Sequence, residues 1–229
     1  MNESKFKNVT IQTARPLPVF ILADKSGSMA EHGKIEALNN SLRDMIRSLG
    51  GQSRLHAEIS VAIIPFGGEP CLQSPLKPAC QYEDKDIPIF EAVGRTPLGQ
   101  ALNEVRKMIE NRECVPSRSY RPTIVLISDG KPTDTGEWEP ALDELLKSER
   151  VAKTTRLAMG IGPDADEKML KKFINDLEIP LIHGKDAGDI EKFLRCVTMS
   201  VTQRSVQANP NSIVKAEIKE LFKEEELDF

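Results

Sequence analysis

Residues 17–23, with the sequence LPVFILA, form an uninterrupted apolar run, and residues 24–28, DKSGS, follow it directly. A strand that is buried on both faces of a parallel sheet has this composition, so we predict a central strand here. Successive side chains of an extended segment alternate in direction, so Asp24, Ser26 and Ser28 should project to the same side. Ligands of doubly wound α/β folds bind just beyond the carboxyl ends of such strands. One carboxylate and two hydroxyls are hard oxygen ligands, which suit Mg²⁺.

Two later segments also place a candidate oxygen ligand where a predicted strand ends or a predicted helix begins. Residues 122–128, PTIVLIS, form another apolar run, and Asp129 follows it in a polar loop. A carboxylate after a buried strand is costly unless something pairs with it. Thr96 lies in residues 94–99, GRTPLG, just before a helical pattern, although Thr96 and Pro97 could also form an ordinary helix entry, at N-cap and first helical position. The predicted metal ligands, direct or through water, are Asp24, Ser26, Ser28, Thr96 and Asp129.

Together these three segments resemble a von Willebrand factor type A (VWA) domain, and the DKSGS segment resembles the opening of its metal-ion-dependent adhesion site (MIDAS). The resemblance covers about residues 16–201. Members of this family leave one metal position for water or for an acidic side chain of another protein. The resemblance therefore implies a non-enzymatic module that docks a partner's Glu or Asp on Mg²⁺, with Mn²⁺ or Ca²⁺ as alternative ions.

Four segments are also similar to the TerY-type bacterial proteins: residues 24–29 (DKSGSM), 34–40 (KIEALNN), 128–134 (SDGKPTD) and 160–166 (GIGPDAD). These proteins are cytoplasmic VWA proteins of tellurite-resistance and related stress or defence loci. The family's genes often lie beside those of a protein kinase and a metal-dependent phosphatase. The resemblance implies a regulated scaffold whose partners include a protein kinase and a PP2C-type phosphatase.

The rest of the chain alternates predicted strands with predicted helices. Further strands are predicted at 56–66, 154–159 and 179–183, and helices at 33–46, 98–110, 140–151, 166–177 and 188–201. This alternation indicates an α/β fold with a doubly wound, Rossmann-like and mostly parallel sheet that has helices on both faces. Residues 69–92 are rich in proline and predict an irregular segment with a short strand. We divide the chain into an N-terminal flanking segment (1–15), a VWA domain (16–203) and an amphipathic acidic tail (204–229).

The tail carries an apolar stripe at helical spacing, formed by Val214, Ile218, Leu221 and Phe222. A helix this short is marginal alone, so the stripe has to pack on something. It could dock against its own domain, or it could bind a partner or a second copy of the chain. In the second case, the acidic residues at 224–228 could complete the metal shell of another molecule.

Three residues near the predicted site need separate interpretation. Lys25 cannot be a metal ligand because an ammonium group has no free lone pair, so its side chain should point away from the ion. Asp134 either borders the site or is an ordinary loop residue. Trp138 either presents an aromatic anchor to a partner or packs on the first turn of the next helix.

Bulk properties narrow the class of protein. With 229 residues and a net charge of −4, the chain has the composition of a globular protein, and its charge argues against a nucleic-acid partner. Residues 1–7 lack the apolar stretch of a signal peptide, and no run approaches the roughly 20 apolar residues that a membrane span needs. We therefore expect a cytoplasmic protein that does not contact the membrane, with free thiols. A bridge between Cys71 and Cys80 is the alternative for the cysteines.

A Mg²⁺-dependent phosphoryl-transfer enzyme with Asp24 as nucleophile is the alternative function. Haloacid-dehalogenase-type phosphatases also place an Asp at the end of the first parallel strand, and Lys34 or Lys131 could neutralise the phosphate. Those enzymes have a second Asp two residues later as general acid, where this chain has Ser26. The sequence therefore favours a binding module without enzymatic activity.

Overall fold

The computed structural model describes residues 14–52, 57–68, 74–211, 215–225 and 227–228. Several predictions fall outside these ranges: most of the flanking segment, the first residue of the second strand, the first part of the irregular segment, Cys71 and Val214.

Six strands form one sheet in the order β3-β2-β1-β4-β5-β6. They are β1 (Arg15–Asp24), β2 (Ala57–Phe66), β3 (Lys77–Pro78), β4 (Thr123–Ser128), β5 (Thr155–Ile161) and β6 (Ile182–Gly184). Every neighbouring pair is parallel except β2 with the two-residue β3. The last eight residues of β1 are all buried, so both faces of the sheet are covered there. The prediction of an α/β fold with a mostly parallel sheet is confirmed.

The strand order reverses between β1 and β4. After β1 the chain adds β2 on one side, and it later places β4 on the other side. Ala23 of β1 lies opposite Ile127 of β4, so Asp24 and Ser128 end adjacent strands. The carboxyl ends of two strands at such a reversal leave a crevice between their loops, which is where this class of fold binds ligands.

Six α-helices accompany the sheet: α1 (Lys34–Gly50), α2 (Leu98–Glu110), α3 (Trp138–Lys147), α4 (Glu167–Ile174), α5 (Ala187–Val206) and α6 (Lys215–Glu224). In α1 the buried side chains recur three or four positions apart, which gives one apolar face. That face brings α1 against α5, and α2 packs against α3. No helix within the described ranges is long and apolar enough to cross a membrane.

Several element boundaries differ from prediction. Helix α1 continues to Gly50 instead of residue 46, α4 ends at Ile174 instead of residue 177, and β6 begins at Ile182 instead of residue 179. Pro97 precedes α2 with a non-helical backbone (φ −80°, ψ 74°) and is not its first helical residue. Helix α3 begins two residues earlier than predicted and ends at Lys147, because the backbone at Ser148 is extended; the turn at Val151–Lys153 is a separate 3-10 helix. Helix α5 continues to Val206, beyond the domain boundary drawn after residue 203.

The tail packs on its own domain. In α6, Ile218, Leu221 and Phe222 are buried, and the Phe222 ring stacks on Phe193 of α5 with 5.8 Å between centroids. After α6, the carbonyl of Asp228 accepts a 2.9 Å hydrogen bond from the backbone N–H of His183 in β6. The apolar stripe therefore contributes to the core of the same chain, and the structure supports the first of the two interpretations.

Other side chains of the tail also bind within the chain. Glu225 forms a 3.0 Å ion pair with Arg195, and Asp228 pairs with Lys185. Cys80, Cys114 and Cys196 are free thiols, as expected for three of the four cysteines.

Candidate metal centre

Asp24 is the last residue of β1, and its carboxylate is fully buried. Its Oδ1 accepts a 2.8 Å hydrogen bond from the backbone N–H of Ser26, and its Oδ2 accepts a 2.6 Å bond from the Ser128 hydroxyl. Both oxygens are thus held in place by neighbours. Burial raises the pKa of Asp24 from 3.8 to about 6, although these hydrogen bonds oppose the rise, and the nearby Asp129 adds to it.

A chain of hydroxyl groups links the end of β1 with the end of β4. The hydroxyls of Ser26 and Ser28 lie 3.2 Å apart. The Ser28 hydroxyl donates a 2.6 Å hydrogen bond to Oδ1 of Asp129. Ser26 and Asp129 are buried, whereas Ser28 is exposed, so the group can be reached from solvent on one side.

The second carboxylate oxygen of Asp129 is paired with the side chain of a lysine. The Lys34 ammonium, at the start of α1, donates a 2.7 Å hydrogen bond to Oδ2 of Asp129. The Asp129 side chain is fully buried and that of Lys34 is 12% exposed, so this pair is well shielded from water. The ionised form of a carboxylate as buried as that of Asp129 needs a positive charge beside it to offset the loss of water.

Thr96 reaches the same place from the loop before α2. A Cβ atom built on Gly130 would lie 3.9 Å from Thr96 Oγ1 and 4.0 Å from Ser28 Oγ, so both hydroxyls border one point. Thr96 does not cap α2 with its side chain. Instead its backbone N–H donates to the Thr133 hydroxyl (2.9 Å), and its carbonyl accepts from the Thr133 N–H (3.0 Å).

Asp134 holds this loop in position. Its Oδ2 accepts a 2.7 Å hydrogen bond from the backbone N–H of Gly99 in the first turn of α2. A carboxylate at that place satisfies one of the free amide groups of the helix terminus. Trp138 is half-buried against the core, in agreement with the packing interpretation of this residue.

Main-chain contacts fasten three loops around the site. Lys25 donates its backbone N–H to Phe66 (2.8 Å) and accepts at its carbonyl from Val93 (2.8 Å). Gly67 has φ +135°, and a Cβ there would lie 2.6 Å from the backbone of Lys25. Gly94 has φ +77°, and its Cβ would collide with Gly68. Only glycine permits this close approach of backbones.

The structure therefore brings all five sequence-predicted residues together at the carboxyl ends of the central strands β1 and β4. Sequence reasoning missed the role of Ser128, which binds Asp24, and considered Lys34 only as a phosphate-neutralising residue of an enzyme. The position of Ser128, one residue before Asp129 at a strand end, was the available signal. Nothing local in the sequence indicates the contact of Lys34, which is 95 residues from Asp129.

The donor set fits a hard divalent cation. Hydroxyl and carboxylate oxygens are the ligands of Mg²⁺, and no group of three or more His, Cys, Asp or Glu side chains in the described ranges offers another kind of metal site. The ammonium on Asp129 shows that a cation is accommodated beside this carboxylate. Asp24 is fully buried with both oxygens hydrogen-bonded, which does not favour a nucleophile for phosphoryl transfer.

Comparison with known proteins agrees with this description. Residues 19–131 match the family model of the von Willebrand factor type A domain. A 117-residue segment, 50% of this chain, is 30% identical to the uncharacterized protein Rv2850c of Mycobacterium tuberculosis. That segment covers 18% of the relative, so the chain spans less than a fifth of its length.

Several solved structures share the fold at low sequence identity. The von Willebrand factor type A protein of Catenulispora acidiphila is similar with a TM-score of 0.60 and 18% identity, over 82% of this chain and 42% of that one. The mussel byssus proximal thread matrix protein 1, described with a zinc-occupied MIDAS motif, has a TM-score of 0.61 and 16% identity over 81% and 48% of the two chains.

The manganese-loaded TRAP protein of Plasmodium vivax has a TM-score of 0.53 and 16% identity, over 77% of this chain and 71% of that one. Both metal-bound structures are thus neighbours in fold. The family match places a von Willebrand factor type A domain at residues 19–131, and the sheet order and the solved structures show the same fold.

Proposed function

We propose that this protein is a non-enzymatic binding module in which a divalent cation, Mg²⁺ in the first place, docks an acidic side chain of another protein. The metal would be held by the hydroxyls of Ser26, Ser28 and Thr96 and by the carboxylates of Asp24 and Asp129, directly or through water. The observation that best supports this function is the hydrogen-bonded chain from Ser26 through Ser28 to Asp129 at the reversal of strand order.

Binding of the partner would follow from the coordination positions left to water and from the net charge of the site. Mg²⁺ prefers six oxygen ligands and keeps several waters, so a carboxylate from outside can replace a water. The burial that raises the pKa of Asp24 makes ionisation of this carboxylate costly, and a nearby cation offsets that cost. The two carboxylates would formally balance the double charge of Mg²⁺, but Asp129 also pairs with the Lys34 ammonium, so the site would keep a net positive charge that attracts a further anionic group.

For the biological setting, we propose a cytoplasmic scaffold of a bacterial tellurite-resistance, stress or defence system, with a protein kinase and a PP2C-type phosphatase as partners. The support is the similarity of residues 24–29, 34–40, 128–134 and 160–166 to TerY-type proteins. Domain boundaries at residues 16 and 203 belong to the same proposal.

Calorimetric titration with Mg²⁺ and Mn²⁺ tests the metal site. We expect saturable binding by the wild-type protein and strong weakening in Ser28→Ala, which removes an exposed hydroxyl between Ser26 and Asp129. Ser200→Ala, in helix α5, is the matched control and should bind as the wild type does. No saturable binding by the wild type, or equal binding by Ser28→Ala, would contradict the proposed site.

Partner docking needs a second measurement. Where genes for a protein kinase and a PP2C-type phosphatase adjoin the gene of this protein, the purified products should bind the wild-type protein in the presence of Mg²⁺, and chelation should release them. Binding that persists equally in chelator and in Ser28→Ala would show that these partners use a different surface.

A further inference from the structure

A cavity of about 460 Å³ lies at the opposite end of the sheet from the candidate metal centre. Its walls come from the first residue of β1, the segment between α2 and β4, and the segment between α3 and β5. These are the amino-terminal ends of the three parallel strands, whereas Asp24 and Asp129 lie at the carboxyl ends. We call this site the basic cavity.

Positive charge is concentrated in the basic cavity. Its charged lining consists of one acidic residue, Glu149, and five basic residues, which are Arg15, Arg112, Arg121, Arg150 and Lys153. The chain as a whole carries a net charge of −4, so the local sign is opposite to that of the molecule. Within the described ranges, none of the five basic side chains forms an ion pair with a carboxylate. Several unpaired positive charges around a concave surface attract anions.

Two of the guanidinium groups are fixed by neutral partners. Arg15 lies 4.2 Å above the centroid of the Tyr120 ring, and its Nε donates a 2.6 Å hydrogen bond to the carbonyl of Arg118. Arg150 donates a 2.6 Å bond to the carbonyl of Val115. Carbonyls and an aromatic ring orient these groups without cancelling their charge, and each guanidinium has further N–H groups to donate. The cavity is thus organised before a ligand arrives.

A buried hydroxyl adds an unused hydrogen-bonding group. Ser119 lines the basic cavity, and its Oγ is buried with no hydrogen-bond partner among the described residues. Such groups are uncommon in native structures because a buried polar atom without a partner is costly. An anionic oxygen in the cavity could accept a hydrogen bond from this hydroxyl.

We propose that the basic cavity binds the oligophosphate group of a small molecule. The volume lies within the range of about 300–1,000 Å³ that is common for small-ligand sites. Four of the five basic residues are arginines, whose planar groups bind phosphate oxygens in pairs. A linear oligophosphate offers several charges close together, which matches the excess of basic over acidic residues better than a single phosphate or carboxylate does. Free oligophosphate and nucleoside oligophosphate share this chemistry.

Calorimetric titration with tripolyphosphate and with ATP tests the assignment, in chelator so that neither the candidate metal centre nor free Mg²⁺ contributes. We expect one saturable site that weakens as salt increases. The double variant Arg112→Gln/Lys153→Gln removes two exposed cations, and we expect it to lose at least about tenfold in affinity, since charge-assisted hydrogen bonds are lost. Arg47→Gln/Lys168→Gln, with exposed side chains outside the cavity, has the same net charge and should bind as the wild type does.

The results of these titrations distinguish between the candidate ligands. Tighter binding of ATP than of tripolyphosphate would assign a nucleoside oligophosphate, and the reverse would assign free oligophosphate. Absence of saturable binding, or equal losses in both double variants, would overturn the proposal. If polyglutamate binds as tightly as tripolyphosphate and depends on the same two residues, the site recognises an acidic peptide and the oligophosphate assignment fails.

Discussion

Replacement of Asp24 by Asn should stabilise the protein in the absence of divalent cations. The Asn side chain has nearly the same shape, its carbonyl can accept the hydrogen bond from the Ser26 N–H, and its amide can donate to the Ser128 hydroxyl. What disappears is a buried negative charge. Burial raises the pKa of Asp24 from 3.8 to about 6, so the ionised carboxylate destabilises the folded protein relative to the unfolded chain by about 3 kcal/mol at pH 7.5.

The sign of the pH dependence follows from the direction of this pKa change. The folded protein holds the Asp24 proton more tightly than the unfolded chain does, so the favourable contribution is complete below about pH 4 and is lost as the pH rises through about 6. In chelator, we expect the free energy of unfolding of Asp24→Asn to equal that of the wild type near pH 4. It should exceed the wild-type value by up to about 3 kcal/mol at pH 7.5.

Urea denaturation at several pH values between 4 and 8 measures this difference. The matched control is Asp143→Asn, an exposed carboxylate whose pKa is lowered by its hydrogen bond to Lys172, and it should be neutral or slightly destabilising at pH 7.5. Millimolar Mg²⁺ should stabilise the wild type and leave Asp24→Asn unchanged. A variant that is less stable than the wild type at pH 7.5, or a difference that does not vary with pH, would refute the reasoning.

Three further changes have definite expected outcomes. Ser128→Ala removes the hydroxyl that donates to Asp24 and should lower the free energy of unfolding by about 1–3 kcal/mol in urea denaturation; an unchanged value would show that this bond is not needed. Lys34→Met removes the ammonium that competes for Asp129, so we expect roughly tenfold tighter Mn²⁺ binding by calorimetry, and weaker binding would count against competition. Phe222→Ala should cost about 3–5 kcal/mol of stability without changing the mass seen by light scattering; a change in oligomeric state would instead assign α6 an intermolecular role.

The sequence predicted the parts of the fold that depend on local periodicity. Apolar positions that recur at helical spacing predict α2 at residues 98–110, and the structure has it at Leu98–Glu110. The ends of β1 and β4 were predicted because an apolar run stops at a polar residue. For α3 the sequence pattern predicts a start at Pro140, two residues too late, because proline is also tolerated further inside the first turn of a helix.

The contacts that complete the site could not be predicted in the same way. Ser128 and Asp24 are 104 residues apart, and their hydrogen bond depends on the parallel register of β1 and β4. The ion pair of Lys34 with Asp129 requires the position of α1 relative to β4, which no local pattern contains. Residue types at strand ends indicated which groups converge, whereas the pairing among them follows from tertiary structure.

The glycine contacts between the loops bear on how such a site can diversify in evolution. Residues 25, 67–68 and 93–95 are joined through backbone groups, which side chains other than proline at Val93 or Arg95 leave intact. Val93 is 49% exposed, and Arg95 is exposed as well, so substitutions at either position change the surface beside the ligand cluster without moving it. Gly67 and Gly94 cannot be substituted in this way, because a Cβ atom at either position would collide with the facing backbone. A lineage could therefore vary the rim of the proposed docking site, while the geometry of the ligand cluster is inherited unchanged.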